Sequence, residues 1–359
     1  MVWAMAPTLP LAGWLPPAAP DALRGGITLA HAAALPQFAR MSNRFWSDAA
    51  STGRGNGVAL ALQGGGAHGA FTWGALDRLL EDGLVVDRIS GVSSGAITGA
   101  LLAQGLVRGG PVAARAELRR LWERVASAHA LSPLRTGPLD RWLWGWDISN
   151  TPVWWGLDMA MRLFGPSQIN PLGLNPLRSV LADLLDRRLL ADPAAPRLTV
   201  AATEVATGEA LLFDNPRITV EVLLASACIP FVFPAVELDG RACWDGGYAG
   251  NPPLGPLLMP ALPETLILIR AQVRGRPGLP GSHAEIANRL TEIAGQNLLA
   301  AELAALPPGL RVLQIEADAA LGDLPVSSKF NGEAAFLAQL FEAGRDAAER
   351  AVAEALAPA

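Results

Sequence analysis

A serine stands between two glycines in the segment GVSSG at residues 91–95, after a short apolar run and before a stretch of small residues. This pattern predicts a strand, a sharp turn that strains the serine backbone, and a helix that begins directly afterwards. Glycines at Gly91 and Gly95 let the strand and the helix approach without a Cβ clash. The helix start would place partial positive charge beside Ser93. The segment therefore predicts a nucleophilic serine, with a plain Gly/Ser turn as the alternative.

Three consecutive glycines, Gly64, Gly65 and Gly66, follow an apolar run that predicts a buried strand at residues 58–63. Their backbone N–H groups would form a cradle for an anion, and ester hydrolysis develops negative charge on the carbonyl oxygen. The segment also matches the dinucleotide pattern G-x-G-x-x-G, with Asp87 near the offset of a ribose-binding acid. The downstream serine favours the oxyanion interpretation, because a nicotinamide-binding fold has no use for it at its second strand.

A serine nucleophile needs a base, and Asp245 is the first candidate. It follows a strand that ends in tryptophan and precedes Gly246 and Gly247, so its backbone would be fixed and its side chain could come close to the serine. An ordinary Asp-Gly turn is the alternative. His283 offers a second route, a triad in the order serine, acid, histidine. The direct carboxylate is favoured because His283 follows a Pro/Gly-rich segment and is predicted to lie in the first turn of a helix.

Taken together, these segments resemble the patatin-like phospholipase family. The resemblance covers roughly residues 57–270 and rests on the glycine run with His68 and Gly69, the GVSSG segment, residues 225–234, and the DGG segment with Asn251 and Pro252 behind it. It implies a Ser93–Asp245 dyad that uses no metal and no cofactor. The implied oxyanion hole and its supporting glycines are Gly64, Gly65, Gly66 and Ser94, with Gly69, Gly91, Gly95, Gly246 and Gly247. The family commonly has Arg or Lys at the position of His68, so this departure weakens the expected preference for phospholipids over other acyl esters.

The elements around these segments alternate strand and helix, which predicts an α/β fold with three layers (α/β/α) and a mostly parallel central sheet. The predicted strands are residues 58–63, 85–90, 198–203, 209–213, 235–239, 265–273 and 311–316. The predicted helices are residues 67–81, 94–104, 112–128, 176–190, 219–227, 284–305 and 333–356. We expect residues 1–54 to form a flexible Pro/Gly-rich leader and residues 55–359 to form one acyl hydrolase domain.

The composition, with 51% hydrophobic and 17% charged residues, is typical of a globular α/β protein. A formal net charge of −5 argues against binding to nucleic acid. Cys228 and Cys243 cannot form a disulfide framework, and their apolar neighbours predict buried thiols in a reducing compartment. No segment has the pattern of a transmembrane helix or a signal peptide, so the sequence predicts a cytoplasmic protein.

An insertion at about residues 131–173 is rich in tryptophan and methionine. It predicts a lipid-facing flap over the active site, because tryptophan prefers the membrane–water interface; the alternative is that the tryptophans fill a local core. The tryptophans are Trp142, Trp144, Trp146, Trp154 and Trp155. Few arginines lie nearby, so strong binding to anionic lipid is not expected.

We therefore predict a serine acyl hydrolase that cleaves carboxylic esters of lipids through an acyl-enzyme, of the phospholipase A, lysophospholipase or lipid esterase type. A thioesterase or polyester depolymerase would use the same dyad. A catalytically silent lipid- or acyl-binding module is the alternative from another class. The expected partners are a lipid or acyl-ester substrate and a membrane surface touched peripherally by the insertion.

Overall fold

The computed structural model describes residues 57–130, 132–276 and 278–357, and the predicted leader lies outside these ranges. The strands are β1 (Val58–Leu62), β2 (Val86–Gly91), β3 (Arg197–Glu204), β4 (Ala210–Asp214), β5 (Val236–Leu238), β6 (Arg241–Asp245), β7 (Thr265–Arg270) and β8 (Arg311–Glu316). The helices are α1 (Gly69–Glu81), α2 (Ser94–His129), α3 (Pro138–Trp144), α4 (Pro152–Leu163), α5 (Pro166–Ile169), α6 (Pro176–Leu184), α7 (Arg187–Leu190), α8 (Val220–Ser226), α9 (His283–Ala304), α10 (Asp318–Leu321) and α11 (Ala334–Leu356).

The strands form one sheet in the order β5-β6-β3-β2-β1-β7-β8, and β4 pairs with β3 off this path. The pairs β1–β2, β1–β7, β2–β3 and β7–β8 are parallel. The pairs β3–β4, β3–β6 and β5–β6 are antiparallel. The predicted α/β fold with a mostly parallel central sheet is confirmed.

Both faces of the sheet are covered, as the uninterrupted apolar run of β1 requires. Every residue of β1 is buried, and successive side chains enter different clusters. Leu60 and Leu62 pack into the large core that includes α1, α2 and α11. Ala59 and Ala61 pack into the smaller cluster that includes Leu299 of α9. Helices on the two faces therefore give the three predicted layers.

One predicted helix break agrees with the structure, and one break is missing from the prediction. The segments predicted at residues 94–104 and 112–128 belong to α2, which is interrupted where Gly109 and Gly110 leave helical geometry before Pro111. The segment predicted at residues 176–190 is split into α6 and α7, because the Asp186 side chain accepts the Arg188 N–H and starts a new helix. The break at Gly109 and Gly110 falls in the gap predicted between residues 104 and 112, whereas periodicity continues across the break at Asp186 and does not locate it.

Cys228 and Cys243 are free and buried, as predicted. Among the described helices, none combines the length and the apolarity needed to cross a bilayer.

Candidate active site

The register of the sheet brings the candidate residues to one level. In β1 and β2, Leu62 is paired with Gly91, so the residues two positions further, Gly64 and Ser93, leave their strands side by side. On the other side of β2, Gly91 is paired with Val200 of β3. Two positions beyond Val200, β3 is paired with Asp245, the last residue of β6. The glycine run, the serine and the acid therefore meet at the carboxyl edge of the parallel strands, where ligands bind in open α/β sheets.

Ser93 occupies a strained turn between β2 and α2. Its φ of 56° and ψ of −127° lie in a region that residues with a Cβ rarely adopt. The Ser93 N–H donates to Ser226 Oγ at 2.9 Å, which helps to hold the turn from α8. The strand, turn and helix agree with the local structure that the GVSSG segment predicts.

Close backbone packing explains the two glycines of this turn. A Cβ on Gly95 would lie 2.3 Å from the Leu62 carbonyl oxygen, and one on Gly91 would lie 2.7 Å from the Gly95 carbonyl oxygen. Two further glycines, Gly69 and Gly246, face contacts of 2.8 Å to Ser94 Oγ and 2.1 Å to the Ala201 carbonyl oxygen. Side chains at these positions would push apart the elements that meet at Ser93.

The glycine run offers part of the predicted oxyanion cradle. The Gly64 N–H donates to Asn251 Oδ1 at 2.8 Å, so it is occupied; this corrects the prediction that Gly64 is an oxyanion donor. The Gly65 N–H donates to Ser94 Oγ at 3.1 Å, a hydroxyl that can rotate away. Gly66 and Ser94 each begin a helical segment, where N–H groups have no intrahelical acceptor.

Asp245 is held from several sides. Its N–H donates to the Cys228 carbonyl at 2.9 Å, and Oδ1 accepts the Gly247 N–H at 2.8 Å. Burial raises the pKa of Asp245 to about 6, while the Gly247 N–H, the Ser93 hydroxyl and the Lys329 ammonium oppose the rise. A carboxyl with this pKa beside a serine hydroxyl can exchange a proton with it near neutral pH.

His283 does not complete a triad in this arrangement. It is the first residue of α9, as predicted, and it lies in the wall of the same cavity as Ser93. Within the described ranges, however, no hydrogen bond joins His283 to Asp245. The triad therefore lacks the acid–histidine contact that would orient the ring.

His68 is a core residue and does not face the cavity. Its side chain is buried, its Nε2 is 2.8 Å from Ser328 Oγ, and its ring meets Phe336 edge-on. Burial lowers the pKa of His68 to about 3, helped by Lys329 and Arg276. His68 is therefore uncharged at neutral pH and cannot replace the cation that the resemblance leads us to expect.

A largely apolar cavity of about 280 Å³ opens over Ser93 and Asp245. Its apolar wall includes Trp154, Met161, Ile229, Phe231, Val232 and Phe330. Its polar wall includes Gln272, Asn288 and Lys329, which the sequence analysis does not assign to the site. For Lys329 a signal exists, because it is the single lysine in a chain whose other cations are arginines.

The Trp-rich insertion contributes both to this cavity and to the surface. Trp154 is only 5% exposed, and its ring lies 5.6 Å from that of Phe330. The neighbouring Trp155 is 66% exposed, and Trp142 is 80% exposed. Trp154 therefore belongs to the cavity wall, which corrects its assignment to the outer, lipid-facing part of the flap.

The dinucleotide alternative fails on geometry. Asp87 is the second residue of β2, beside the start of β1, whereas the glycine run follows the end of β1. About five residues of strand separate the two levels, or roughly 16 Å. A ribose-binding acid must lie at the same edge as the glycine run, and Asp87 is instead hydrogen-bonded to Arg88 at the opposite edge. Among the described residues, no group of three His, Cys, Asp or Glu side chains is placed to hold a metal ion.

Comparisons with known proteins agree with the resemblance. A family model described as patatin-like phospholipase matches residues 60–258, more than half of the chain. An uncharacterized NTE family protein of Mycobacterium bovis is 43% identical over 63 residues, which make up 18% of this chain and 11% of that protein. A protein of the same description from Mycobacterium tuberculosis matches to the same extent.

Two solved structures have similar chains. VipD from Legionella pneumophila has a TM-score of 0.37 at 15% identity, over 83% of this chain and 67% of that one. Human GIVD cytosolic phospholipase A2 has a TM-score of 0.44 at 12% identity, over 92% of this chain and 64% of that one.

Proposed function

Because the chain belongs to the patatin-like phospholipase family, we propose that it is a serine acyl hydrolase that cleaves carboxylic esters of lipids. The observation that carries this proposal is the register of the sheet, which brings Ser93, on a strained turn, and Asp245 to the same edge and into the wall of one apolar cavity. A strained serine in the wall of a cavity, with a carboxylate at the same edge of the sheet, is the arrangement that nucleophilic catalysis needs.

In the first step, the Asp245 carboxylate accepts the proton of Ser93 while Ser93 Oγ attacks the ester carbonyl carbon. The N–H groups of Gly66 and Ser94 hold the oxyanion of the tetrahedral intermediate, and Gly65 joins them when the Ser94 hydroxyl rotates. The intermediate collapses to an acyl-serine, and Asp245 returns the proton to the departing alcohol. Water then attacks the acyl-serine with Asp245 again as the base, which releases the carboxylic acid and restores Ser93.

The cavity favours an acyl chain as the group next to the reacting carbonyl. Trp154, Ile229 and Phe330 provide an apolar wall, and burial of each methylene contributes about 0.8 kcal/mol. Thioesters and polyesters would fit the same chemistry, but a lipid acyl group uses more of this apolar surface.

Peripheral contact with a membrane is the second part of the proposal. The insertion exposes large apolar side chains on α3 and α4, with Leu143, Trp155 and Leu163 among them. Two of its three arginines are paired with carboxylates, Arg162 with Asp158 at 2.6 Å and Arg141 with Glu333. We therefore expect binding driven by apolar and aromatic area and only weakly dependent on anionic lipid.

Fluorophosphonate labelling tests the proposed nucleophile. We expect labelling of the parent at Ser93, identified by mass spectrometry, and none in Ser93→Ala. A panel of chromogenic esters of rising chain length, with a thioester and a phospholipid, then ranks the acyl donors. A protein that binds lipid but neither reacts with the probe nor turns over any ester would be the silent binding module.

A further inference from the structure

Lys329 brings a positive charge to the cavity from outside the glycine run and the GVSSG and DGG segments. It lies in the helical turn Val326–Phe330, and its side chain forms part of the cavity wall. This turn is pressed onto the glycine run, because a Cβ on Gly66 would lie 2.6 Å from the Lys329 carbonyl oxygen. The adjacent Ser328 is hydrogen-bonded to His68. Lys329 is therefore fixed relative to the predicted oxyanion donors.

The charges around Lys329 do not cancel. Glu292 is buried, and Arg276 binds both of its carboxylate oxygens at 2.9 Å. Arg289 and Lys329 approach the same carboxylate at 3.3 and 3.5 Å. Burial opposes ionisation of Glu292, but Arg276, Asn288 and Lys329 lower its pKa to about 2. The direct contacts of Glu292 therefore include two more cations than carboxylates, and Glu285 and Asp245, which act on Arg276 and Lys329 over longer distances, offset part of this excess.

Of these three cations, Lys329 is the one that lines the cavity. An ammonium group has three N–H donors. One is directed to Asn288 Oδ1 at 2.7 Å, and another faces Glu292 at the longer distance of 3.5 Å. The described residues supply no third acceptor, which leaves one donor for a group that enters the cavity. At position 68, where the resemblance leads us to expect a cation, the chain has a buried neutral histidine.

We propose that Lys329 binds a negatively charged oxygen on the alcohol side of the acyl donor, so that the enzyme selects esters with an anionic headgroup over neutral esters. A phosphate or a carboxylate would supply this oxygen, and a compact ammonium suits either as a point charge. The inference rests on the proposed hydrolase function and names the class of substrate that the site accepts.

The test compares hexanoylglycerol with hexanoylglycerol phosphate, two soluble esters that share the acyl group and the reacting bond. Measurements at about pH 7.5 keep Asp245, with its pKa of about 6, largely ionised. They also limit deprotonation of Lys329, because burial lowers the pKa of its ammonium group. In Lys329→Met we expect kcat/KM for the phosphate ester to fall about 10- to 100-fold more than kcat/KM for the neutral ester, the usual effect of losing a charge-assisted hydrogen bond. Lys329→Arg, which keeps the charge, should retain most of the preference.

Arg289→Met is the matched control, because it removes a cation from the same cluster without touching the cavity wall. It should leave the ratio of the two kcat/KM values unchanged. An unchanged ratio in Lys329→Met, or an equal fall in both variants, would overturn the proposal. If the parent hydrolyses neither ester, the hydrolase function itself fails. A hexanoyl ester of glycolate adds the carboxylate arm: a loss there as large as for phosphate means that the site binds either anion, and a loss for phosphate alone means that it is specific for phosphate.

Discussion

Asn251 links the two halves of the proposed site, and its removal tests how tightly the glycine run must be held. Its side chain is buried and accepts the Gly64 N–H at 2.8 Å through Oδ1. Its backbone carbonyl accepts Gln63 Nε2 at 3.1 Å. Since Asn251 follows Asp245 by only six positions, these bonds connect the glycine run to the segment that carries the base.

Asn251→Ala would leave the Gly64 N–H buried without an acceptor. An unsatisfied buried donor costs about 1–3 kcal/mol. If the loop stays in place, this amount is lost from the free energy of unfolding. If the glycine run moves so that the Gly64 N–H reaches water, the N–H groups of Gly65 and Gly66 no longer point at the oxyanion. Because removal of one such donor lowers kcat by about 100- to 1000-fold, a partial displacement predicts a fall in kcat of about 10- to 100-fold with little change in KM.

Steady-state kinetics on a soluble short-chain ester and urea unfolding together measure both effects. Asn215→Ala is the matched control: Asn215 accepts the Leu198 N–H at 2.6 Å through Oδ1 and lies away from the cavity. Because Asn215 Nδ2 also donates to the Leu190 and Pro196 carbonyls, Asn215→Ala should lose at least as much unfolding free energy and keep the parent kcat. An Asn251→Ala protein with reduced stability and the parent kcat would refute the idea that this bond positions the oxyanion loop.

Three further predictions concern the dyad, its titration and the insertion. Ser93→Ala and Asp245→Asn should abolish ester turnover without unfolding the protein, measured by kcat and circular dichroism, whereas His283→Ala should stay active; equal loss in His283→Ala would restore the triad. Since Asp245 acts as a base only when ionised and its pKa is about 6, kcat/KM should fall about tenfold per pH unit below that pH and level off above it; a limb near pH 4 would contradict the burial of this carboxyl. Trp155→Ala should weaken hydrolysis of phospholipid vesicles several-fold and spare a soluble ester, because interfacial binding depends on exposed aromatic area, whereas Trp154→Ala should impair both; equal effects of the two substitutions would place both side chains in one environment.

The parts of the fold that follow from sequence are those with local signals. The apolar runs of β1 and β7 predict buried strands, and the GVSSG segment predicts both the end of β2 and the start of α2. The Asp239-Gly240 dipeptide is a local signal for the β5–β6 hairpin that the strand prediction does not use. Both residues have positive φ, at 50° and 76°, and Asp-Gly is the dipeptide that such tight turns prefer. This hairpin makes β6 antiparallel to β3 and brings Asp245 to the level of Ser93.

Contacts between distant segments cannot be predicted in this way. The bond from Gly64 to Asn251 joins residues 187 positions apart, and the bond from His68 to Ser328 joins residues 260 apart. Trp154 and Trp155 have the same residue type, and successive residues of a helix point about 100° apart. The composition of the insertion therefore indicates that some tryptophans meet solvent or lipid, but only the packing of α4 shows which.

The sequence motif and the fold indicate different positions for the positive charge of this site. Position 68 lies at the end of a helical turn, and its side chain faces Phe336 in the core. An arginine there would enter the core unless the turn moved. The neutral histidine avoids the large penalty for burying an unpaired charge. The turn that carries Lys329 instead lies over the glycine run from the cavity side, where Asn288 and Glu292 stabilise an ammonium. The proposal for Lys329 would therefore give the site a positive charge without a basic residue at position 68. The effect of this departure on specificity depends on which side chains from distant segments border the cavity, and the comparison of Lys329→Met with Arg289→Met measures that effect.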